Sequence, residues 1–234
     1  MDFGGSWTTK DGRVLYLPDV LVQVLFMRGG RPLYTSVQWP GYTGIHTAMR
    51  FGGWSFEQNT RFHASALSYQ YGLKHGARGF MLSARKIMET TLDFETAVKR
   101  LRQLDLMAPS YFIVAGARPY QGAVITMDRG PHKKGTPLLI RLSSGRTALR
   151  HGSRYTDWNV IQTNDDLNKI PLDTRRPLEE LRLARSTRAQ VSPSWVYGEM
   201  TSRALYQELT VYTSVYVPAT GYMKVSAHPE NIKR

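Results

Sequence analysis

The chain contains no cysteine among its 234 residues. Without thiols, these residues can form no disulfide, bind no metal through sulfur and supply no thiol nucleophile. No apolar run approaches the roughly 18 residues that a membrane-spanning helix needs. Internal repeats, low-complexity linkers and Asn-x-Ser/Thr sequons are absent as well. The six histidines are scattered without acidic partners at metal-ligand spacing, so the sequence predicts neither a metal site nor a cofactor.

Acidic residues are also scarce. The 18 Asp and Glu residues stand against 31 Lys and Arg residues, which gives a formal net charge of +13. Such a charge attracts polyanions in general. The basic residues are spread over much of the chain and no nucleic-acid-binding motif accompanies them, so nucleic acid is not predicted as a partner. Two interpretations remain, namely ordinary solvated helix faces or attraction to an anionic membrane surface.

Hydrophobic residues make up 41% of the chain, enough for a substantial core, and we expect a single domain over residues 1–234. Short runs rich in Val, Leu and Tyr between Gly and Pro turns predict strands that begin as an antiparallel meander. The predicted strands are Arg13–Leu17, Leu21–Met27, Leu33–Gln38, Ile45–Arg50, Trp54–Phe62, Ser110–Ala115, Ala123–Asp128, Pro137–Leu142, Trp158–Asn164, Leu209–Val217 and Gly221–Ala227.

Two helices are predicted in the middle of the chain. Apolar residues recur at helical spacing over Ala77–Thr91, and Asp93 is a suitable N-cap for Phe94–Leu104. We expect both helices to pack on one sheet face. Further helices are predicted at Pro177–Ser186, with Leu178, Leu181 and Leu183 or Ala184 on its inner side, and at Ser194–Leu205 behind Ser192-Pro193. Helical layers around a β-rich centre predict an α+β architecture.

The stretch Val160–Arg176 is the most informative segment for chemistry. A short apolar strand there is predicted to end at Asn164, and an amide fixed in this way can stabilise an oxyanion. Arg175 follows about one loop later, and its guanidinium can bind a carboxylate through two hydrogen bonds. The alternative is a plain strand, an acidic turn and the start of a helix.

The chain carries six short blocks in a fixed order. They are Met1-Asp2-Phe3-Gly4, Gly41-Tyr42-Thr43-Gly44, Ala108-Pro109-Ser110-Tyr111-Phe112-Ile113, Gly122-Ala123-Val124-Ile125-Thr126-Met127-Asp128-Arg129, Gln162-Thr163-Asn164 with Asp173-Thr174-Arg175-Arg176, and Leu209-Thr210-Val211-Tyr212-Thr213. In this order they resemble the catalytic subunit of the acid ceramidase and N-acylethanolamine-hydrolysing acid amidase family. The resemblance covers nearly the whole chain and implies the four-layer αββα sandwich of N-terminal-nucleophile hydrolases.

The resemblance also implies a set of site residues. An enzyme of this kind hydrolyses an amide through an N-terminal cysteine whose own α-amino group is its base. Asp2 would hold that amino group, Asn164 would stabilise the oxyanion, and Arg175 would order the carboxylates of the site. Four positions depart from the family pattern: Thr60 replaces a Glu, Asp165 a Tyr, Asn168 a Trp and Thr174 an Asp. Drifted substrate contacts and relaxed activity would both explain these departures.

Met1 corresponds to an internal methionine of the family, so the strand that bears the cysteine is expected upstream of these residues. The chain is accordingly interpreted as an N-terminally truncated catalytic (beta) subunit with its first strand or strands missing. In its complete form it would cleave an N-acylethanolamine or ceramide into fatty acid and amine, and this chain alone would be inactive. The alternative is a non-catalytic remnant or pseudoenzyme that binds lipid or a partner subunit. The resemblance further implies a separate pro-subunit and a lysosomal location.

Overall fold

A computed structural model describes residues 6–62, 70, 72–128, 138–142, 158–166, 173–202 and 205–228. Their strands include β1 (Ser6–Thr8), β2 (Val14–Tyr16), β3 (Val22–Arg28), β4 (Arg31–Gln38), β5 (Thr47–Arg50), β6 (Trp54–Thr60), β7 (Ser110–Gly116), β8 (Gly122–Met127), β9 (Leu138–Arg141), β10 (Tyr212–Val217) and β11 (Tyr222–Ala227). Their helices include α1 (Phe80–Thr90), α2 (Phe94–Arg102), α3 (Arg175–Leu183), α4 (Pro193–Met200) and two 3-10 helices, Leu17–Val20 and Arg188–Gln190.

The largest element is a seven-stranded sheet in which β3 to β9 follow one another in chain order, each antiparallel to its neighbour. The predicted meander, which extended to the strand Trp54–Phe62, is therefore confirmed for β3 to β6. It was wrong for Arg13–Leu17, because β2 pairs only with β1 in a separate hairpin. The chain leaves β2 through the 3-10 helix Leu17–Val20, in which Pro18 restricts the backbone and prevents a continuous strand.

Helices α1 and α2 cover one face of this sheet, as predicted. Trp54, Phe56 and Phe112 from the sheet are almost fully buried against Met88 and Leu101 from the helices, and each such side chain contributes about 1.5–3 kcal/mol through burial. The predicted N-cap of α2 is also confirmed, since the Asp93 side chain accepts a hydrogen bond from the Thr96 backbone N–H at 2.9 Å.

Two glycines explain why the Gly41-Tyr42-Thr43-Gly44 block has its sequence. Gly41 has a φ of +83°, a conformation that a side chain rarely adopts. At Gly44 a Cβ atom would lie only 2.4 Å from the Cβ of Met81 on α1. The loop between β4 and β5 can therefore contact α1 only because no side chain intervenes.

The opposite face of the sheet is covered by a second β-layer. The hairpin β10–β11 packs on it, with Val211 and Tyr212 buried beside Val37. The Tyr212 hydroxyl lies 2.9 Å from Thr47 Oγ1 and so ties the hairpin to β5. Helix α4 contacts β10 on the far side of the hairpin. The layers are α1 with α2, the large sheet, the hairpin and α4, which is an αββα order. No helix among the described residues is long and apolar enough to cross a bilayer.

Candidate active site

Two of the three predicted site residues, Asn164 and Arg175, lie at one end of the large sheet. There β6 and β8 end and β7 begins, because Thr60 pairs with Ser110 and Ser110 pairs with Met127. The segment 158–166 runs over this part of the sheet on the face away from α1 and α2. It is held there by Val160, which packs against a buried cluster that includes Val124 and Ile140.

The segment 158–166 is not a strand, so the prediction of a strand over Trp158–Asn164 was wrong. Its polar groups bond to side chains instead of to a neighbouring strand. Asn59 donates to the Gln162 carbonyl at 3.2 Å, and Gln162 Nε2 donates to the carbonyls of Thr163 and Asp165 at 2.7 and 2.8 Å. Such side-chain to backbone bonds compete with a β-ladder. The turn, and not a strand, therefore fixes the amide that follows.

Asn164 and Arg175 are in direct contact. Arg175 Nη2 donates to Asn164 Oδ1 at 2.8 Å, and Asn164 Nδ2 donates to the Thr60 carbonyl at 2.8 Å. A guanidinium can only donate, so the orientation of the Asn164 amide is unambiguous. One N–H of Nδ2 is used by Thr60, and the second N–H is left for another acceptor. Asn164 is half-buried, so that acceptor can reach it from solvent.

Asp173 fixes Arg175 in place. Its carboxylate accepts from the Arg175 backbone N–H at 2.9 Å and from Arg175 Nε at 3.0 and 2.9 Å, and it also contacts Nη2. Burial acts to raise the pKa of the Asp173 carboxyl, but the hydrogen bonds and charge of Arg175 outweigh it, so the pKa lies below its ordinary value. Both side chains are at most 20% exposed. Arg175 is thus a restrained cation whose outer nitrogen faces Asn164.

Arg61 and Asp166 form a second buried ion pair. Arg61 donates to both carboxylate oxygens of Asp166, from Nε at 2.7 Å and from Nη2 at 2.9 Å, and it also contacts Asp128. The Tyr111 hydroxyl donates to the same carboxylate at 2.7 Å. The Asp166 side chain is only 3% exposed. The sequence did not single out Arg61 or Asp166. The available signals were a charged residue near the end of the predicted strand Trp54–Phe62 and an acid directly after Asn164 and Asp165.

The structure describes two of the three site residues selected from the sequence. Asn164 and Arg175 lie together, whereas Asp2 lies outside the described residues. Thr60 reaches Asn164 through its backbone carbonyl and not through the side chain that replaces the family's Glu. Asn168 also lies outside the described residues. The geometry brings a restrained amide and a restrained guanidinium to one point, as electrostatic stabilisation of an anion requires.

The inner face of α3 differs from the predicted one. Leu178 and Leu181 are 47% and 51% exposed, while Arg176, Glu179 and Leu183 are buried. The helix begins at Arg175, so a stripe spaced by three and four residues points Arg176 inwards, where Nη1 donates to the Asp166 carbonyl at 3.3 Å. Of the predicted inner residues only Leu183 is confirmed. Within the described residues, no group of three or more His, Asp or Glu side chains is arranged to hold a metal ion.

No protein-family model matches the chain. The acid ceramidase of Mus musculus is 28% identical to it over 231 residues, which cover 92% of this chain and 54% of the relative. The acid ceramidase of Balaenoptera acutorostrata scammoni is 27% identical over 227 residues with the same coverage. The chain therefore spans about half the length of the curated relatives it matches.

A solved structure of the Caenorhabditis elegans N-acylethanolamine-hydrolyzing acid amidase (NAAA) ortholog is similar over 96% of this chain and 98% of that one, with a TM-score of 0.76 and 21% identity. The αββα layers and this likeness define the fold as that of an N-terminal-nucleophile hydrolase. The sequence matches to acid ceramidases agree with this likeness, and both comparisons support the resemblance to the acid ceramidase and N-acylethanolamine-hydrolysing acid amidase family.

Proposed function

We propose that the complete protein hydrolyses the amide bond of an N-acylated lipid, an N-acylethanolamine or a ceramide, to a fatty acid and an amine. The observation that carries the proposal is the contact between Arg175 Nη2 and Asn164 Oδ1 at 2.8 Å. This contact restrains the Asn164 amide, whose second N–H lies at the end of the sheet next to Arg175, the cation that Asp173 holds. The names of the related proteins supply the substrate class.

The proposed reaction uses a cysteine thiolate from outside these 234 residues. Attack on the acyl carbon forms a C–S bond and a tetrahedral oxyanion. This oxyanion accepts a hydrogen bond from the second N–H of Asn164 Nδ2. Arg175 polarises that amide by bonding its oxygen, so Asn164 is a stronger donor. Collapse of the oxyanion breaks the C–N bond, and the amine leaves with the proton taken from the thiol. Water then hydrolyses the thioester. By family resemblance, Asp2 holds the α-amino group that carries the proton.

The test is the hydrolysis of N-palmitoylethanolamine and a ceramide by the full-length protein and its Asn164→Ala variant. Loss of one oxyanion donor lowers kcat by roughly 10²–10³-fold, and we expect a fall of this size. Gln103→Ala removes an exposed amide at the end of α2 and is the matched control. Equal kcat for wild type and Asn164→Ala would contradict the proposal.

The second candidate function is a non-catalytic protein that binds lipid or a partner subunit. It is favoured by the absence of cysteine from these residues, since they cannot by themselves form a thioester. We expect the 234-residue chain alone to be inactive. Labelling the full-length natural protein with iodoacetamide, followed by mass spectrometry, separates the two functions: a reactive N-terminal cysteine supports the amidase, and its absence supports the pseudoenzyme.

We also propose a lysosomal location, a separate pro-subunit and attraction to anionic membranes. The first two rest on the family, and the third rests on the net charge of +13. Fluorescence microscopy of the full-length protein and gel analysis of the material from native cells test location and subunits. A cytosolic signal, or a single uncleaved band in active material, would contradict them.

A further inference from the structure

The Arg61–Asp166 pair is the most deeply buried ion pair near the candidate site, with side chains 12% and 3% exposed. Burying two charges is costly unless their geometry is good and their other polar atoms are bonded. Both conditions are met, because the pair is bidentate and Tyr111 adds a third hydrogen bond to Asp166. Burial, followed by the bond to Asp166, raises the pKa of Tyr111, so this hydroxyl stays a proton donor.

Asp166 is connected to both halves of the Asn164–Arg175 contact. It follows Asn164 by two residues, so its position sets where that turn lies. Its carbonyl accepts from Arg176 at 3.3 Å, and Arg176 is the direct neighbour of Arg175. Through its backbone and its carbonyl, Asp166 therefore fixes the amide and the guanidinium relative to each other.

Arg61 is connected to the other side of the same contact. It directly follows Thr60, whose carbonyl accepts the Asn164 N–H at 2.8 Å. The bond from Arg61 to Asp166 thus joins the same two segments as the bond between Asn164 and Thr60, namely the end of β6 and the turn at 164–166. A change in the Arg61–Asp166 distance is therefore expected to shift the second N–H of Asn164.

We infer that Arg61 and Asp166 are positioning residues that set the direction of the free Asn164 N–H through their bidentate pair. The inference rests on the proposed function. Neither residue has to touch substrate. A lysine cannot replace Arg61, because an ammonium lacks the planar fork that holds both carboxylate oxygens. A misplacement of about 1 Å at a reacting group costs on the order of 10²-fold in rate.

The experiment measures kcat and KM of the full-length enzyme for N-palmitoylethanolamine, with Arg61→Lys and Asp166→Asn as variants. We expect kcat to fall about 10- to 100-fold with KM within about twofold. Arg141→Lys is the matched control, because Arg141 makes a bidentate pair with Glu95 on the exterior, at 2.8 and 2.8 Å, away from the site. Assays are run where circular dichroism shows each variant folded.

A double-mutant cycle separates positioning from general stability. In an Asn164→Ala background the N–H that Arg61 directs is gone, so adding Arg61→Lys should not lower kcat further. A purely structural role would lower kcat by the same factor in both backgrounds, and that result would overturn the inference. A kcat of Arg61→Lys equal to that of wild type would overturn it as well.

A readout without activity keeps the two proposals distinguishable. The side-chain amide resonances of Asn164 in a ¹H–¹⁵N spectrum should shift in Arg61→Lys and stay unchanged in Arg141→Lys. If Asn164→Ala leaves kcat unchanged, the proposed function fails. The spectrum alone then tests whether Arg61 and Asp166 position the Asn164 amide. Unshifted Asn164 resonances in folded Arg61→Lys would overturn the inference even in an active enzyme.

Discussion

At the scale of single residues, Asp173 determines whether Arg175 stays in place in acid. The pKa of Asp173 lies below its ordinary value near 3.8, because the bonds from Arg175 outweigh the effect of burial. A carboxyl with a lowered pKa contributes stability above its ordinary pKa and loses it as the pH falls through the lowered value. The contact between Asp173 and Arg175 should therefore persist in mild acid, above the ordinary pKa of an aspartate.

We predict that Asp173→Asn lowers the free energy of unfolding by about 1–2 kcal/mol between roughly pH 4.5 and 7. The difference from wild type should disappear well below pH 3.8, where the wild-type carboxylate is itself protonated. Urea unfolding at a series of pH values measures it. Asp11→Asn, which breaks the exposed pair with Arg13, is the control and should have no measurable effect. A pH-independent effect of Asp173→Asn would contradict the prediction.

Glycine substitutions should have opposite effects at two positions. Gly44→Ala places a Cβ 2.4 Å from that of Met81, and we predict a loss of about 1–3 kcal/mol from overpacking. Gly198 lies inside α4 with open space around it, so Gly198→Ala should stabilise by about 0.5–1 kcal/mol through helix propensity. Thermal denaturation compares the two variants. A stabilised Gly44→Ala would show that α1 moves away at no cost.

At the scale of elements, charged side chains form the contact between α3 and α4. Arg182 on α3 lies 3.8 Å from Glu179 of the same helix and 2.7 Å from Glu199 on α4. Burial, reinforced by the negative charge of Glu199 and opposed by Arg182, raises the pKa of Glu179 to about 7. Burial also raises the pKa of Glu180. The Arg182 guanidinium is thus the shared ion-pair partner of the Glu179 and Glu199 carboxylates. One cation cannot neutralise both charges, which favours a proton on Glu179.

The stability of this contact should depend on pH. A carboxyl with a raised pKa contributes most below its ordinary pKa near 4.5 and loses that contribution as the pH rises to about 7. We predict that wild type loses on the order of 3 kcal/mol across this interval through Glu179, and that Glu179→Gln does not. Chemical denaturation at about pH 4.5, 6 and 7.5 tests this, with exposed Glu208→Gln as control. Parallel pH profiles for wild type and Glu179→Gln would refute it.

Elements were predictable where one local rule decided the structure. The strands β3 to β9 follow from apolar runs between turns, and the caps of α2 and α4 follow from Asp93 and Ser192, whose side chain accepts from Trp195 N at 3.2 Å. The segment 158–166 has the composition of a strand, but Gln162 bonds to its own backbone. The inner face of α3 was missed because Arg176 is buried through a partner in another segment of the chain.

At the scale of the site, Asn164 and Arg175 could be named from motif order. Arg61 and Asp166 could not, since a bidentate pair 105 residues apart in the sequence leaves no local pattern. The sheet register places the ends of β6 and β8 beside the start of β7. Only this arrangement reveals that Arg61 and Asp166 are in contact.

At the scale of the whole molecule, the basic surface should bind anionic lipid. The exposed Leu178 and Leu181 lie on α3 beside Arg182 and Arg185, an arrangement that suits a membrane interface. We predict cosedimentation with vesicles of phosphatidylcholine and phosphatidylserine at low salt and release at high salt, because salt screens the attraction. Binding to pure phosphatidylcholine vesicles of equal strength would contradict this. A Leu178→Ser, Leu181→Ser double variant should bind more weakly than a Leu73→Ser control.

The hydrogen bond between Asn164 and Thr60 joins positions 104 residues apart, and the sheet beneath it is built from neighbouring strands. Closing so long a loop is slow, so the meander should form before the turn at 164–166 docks on it. The order of opening in the native state should be the opposite of the order of folding. The turn at 164–166, which docks last, can open by a local fluctuation while the sheet stays intact. In amide hydrogen exchange, the backbone around Asn164 should therefore exchange long before the centres of β7 and β8, and chains caught with that turn open would have the fold without the chemistry.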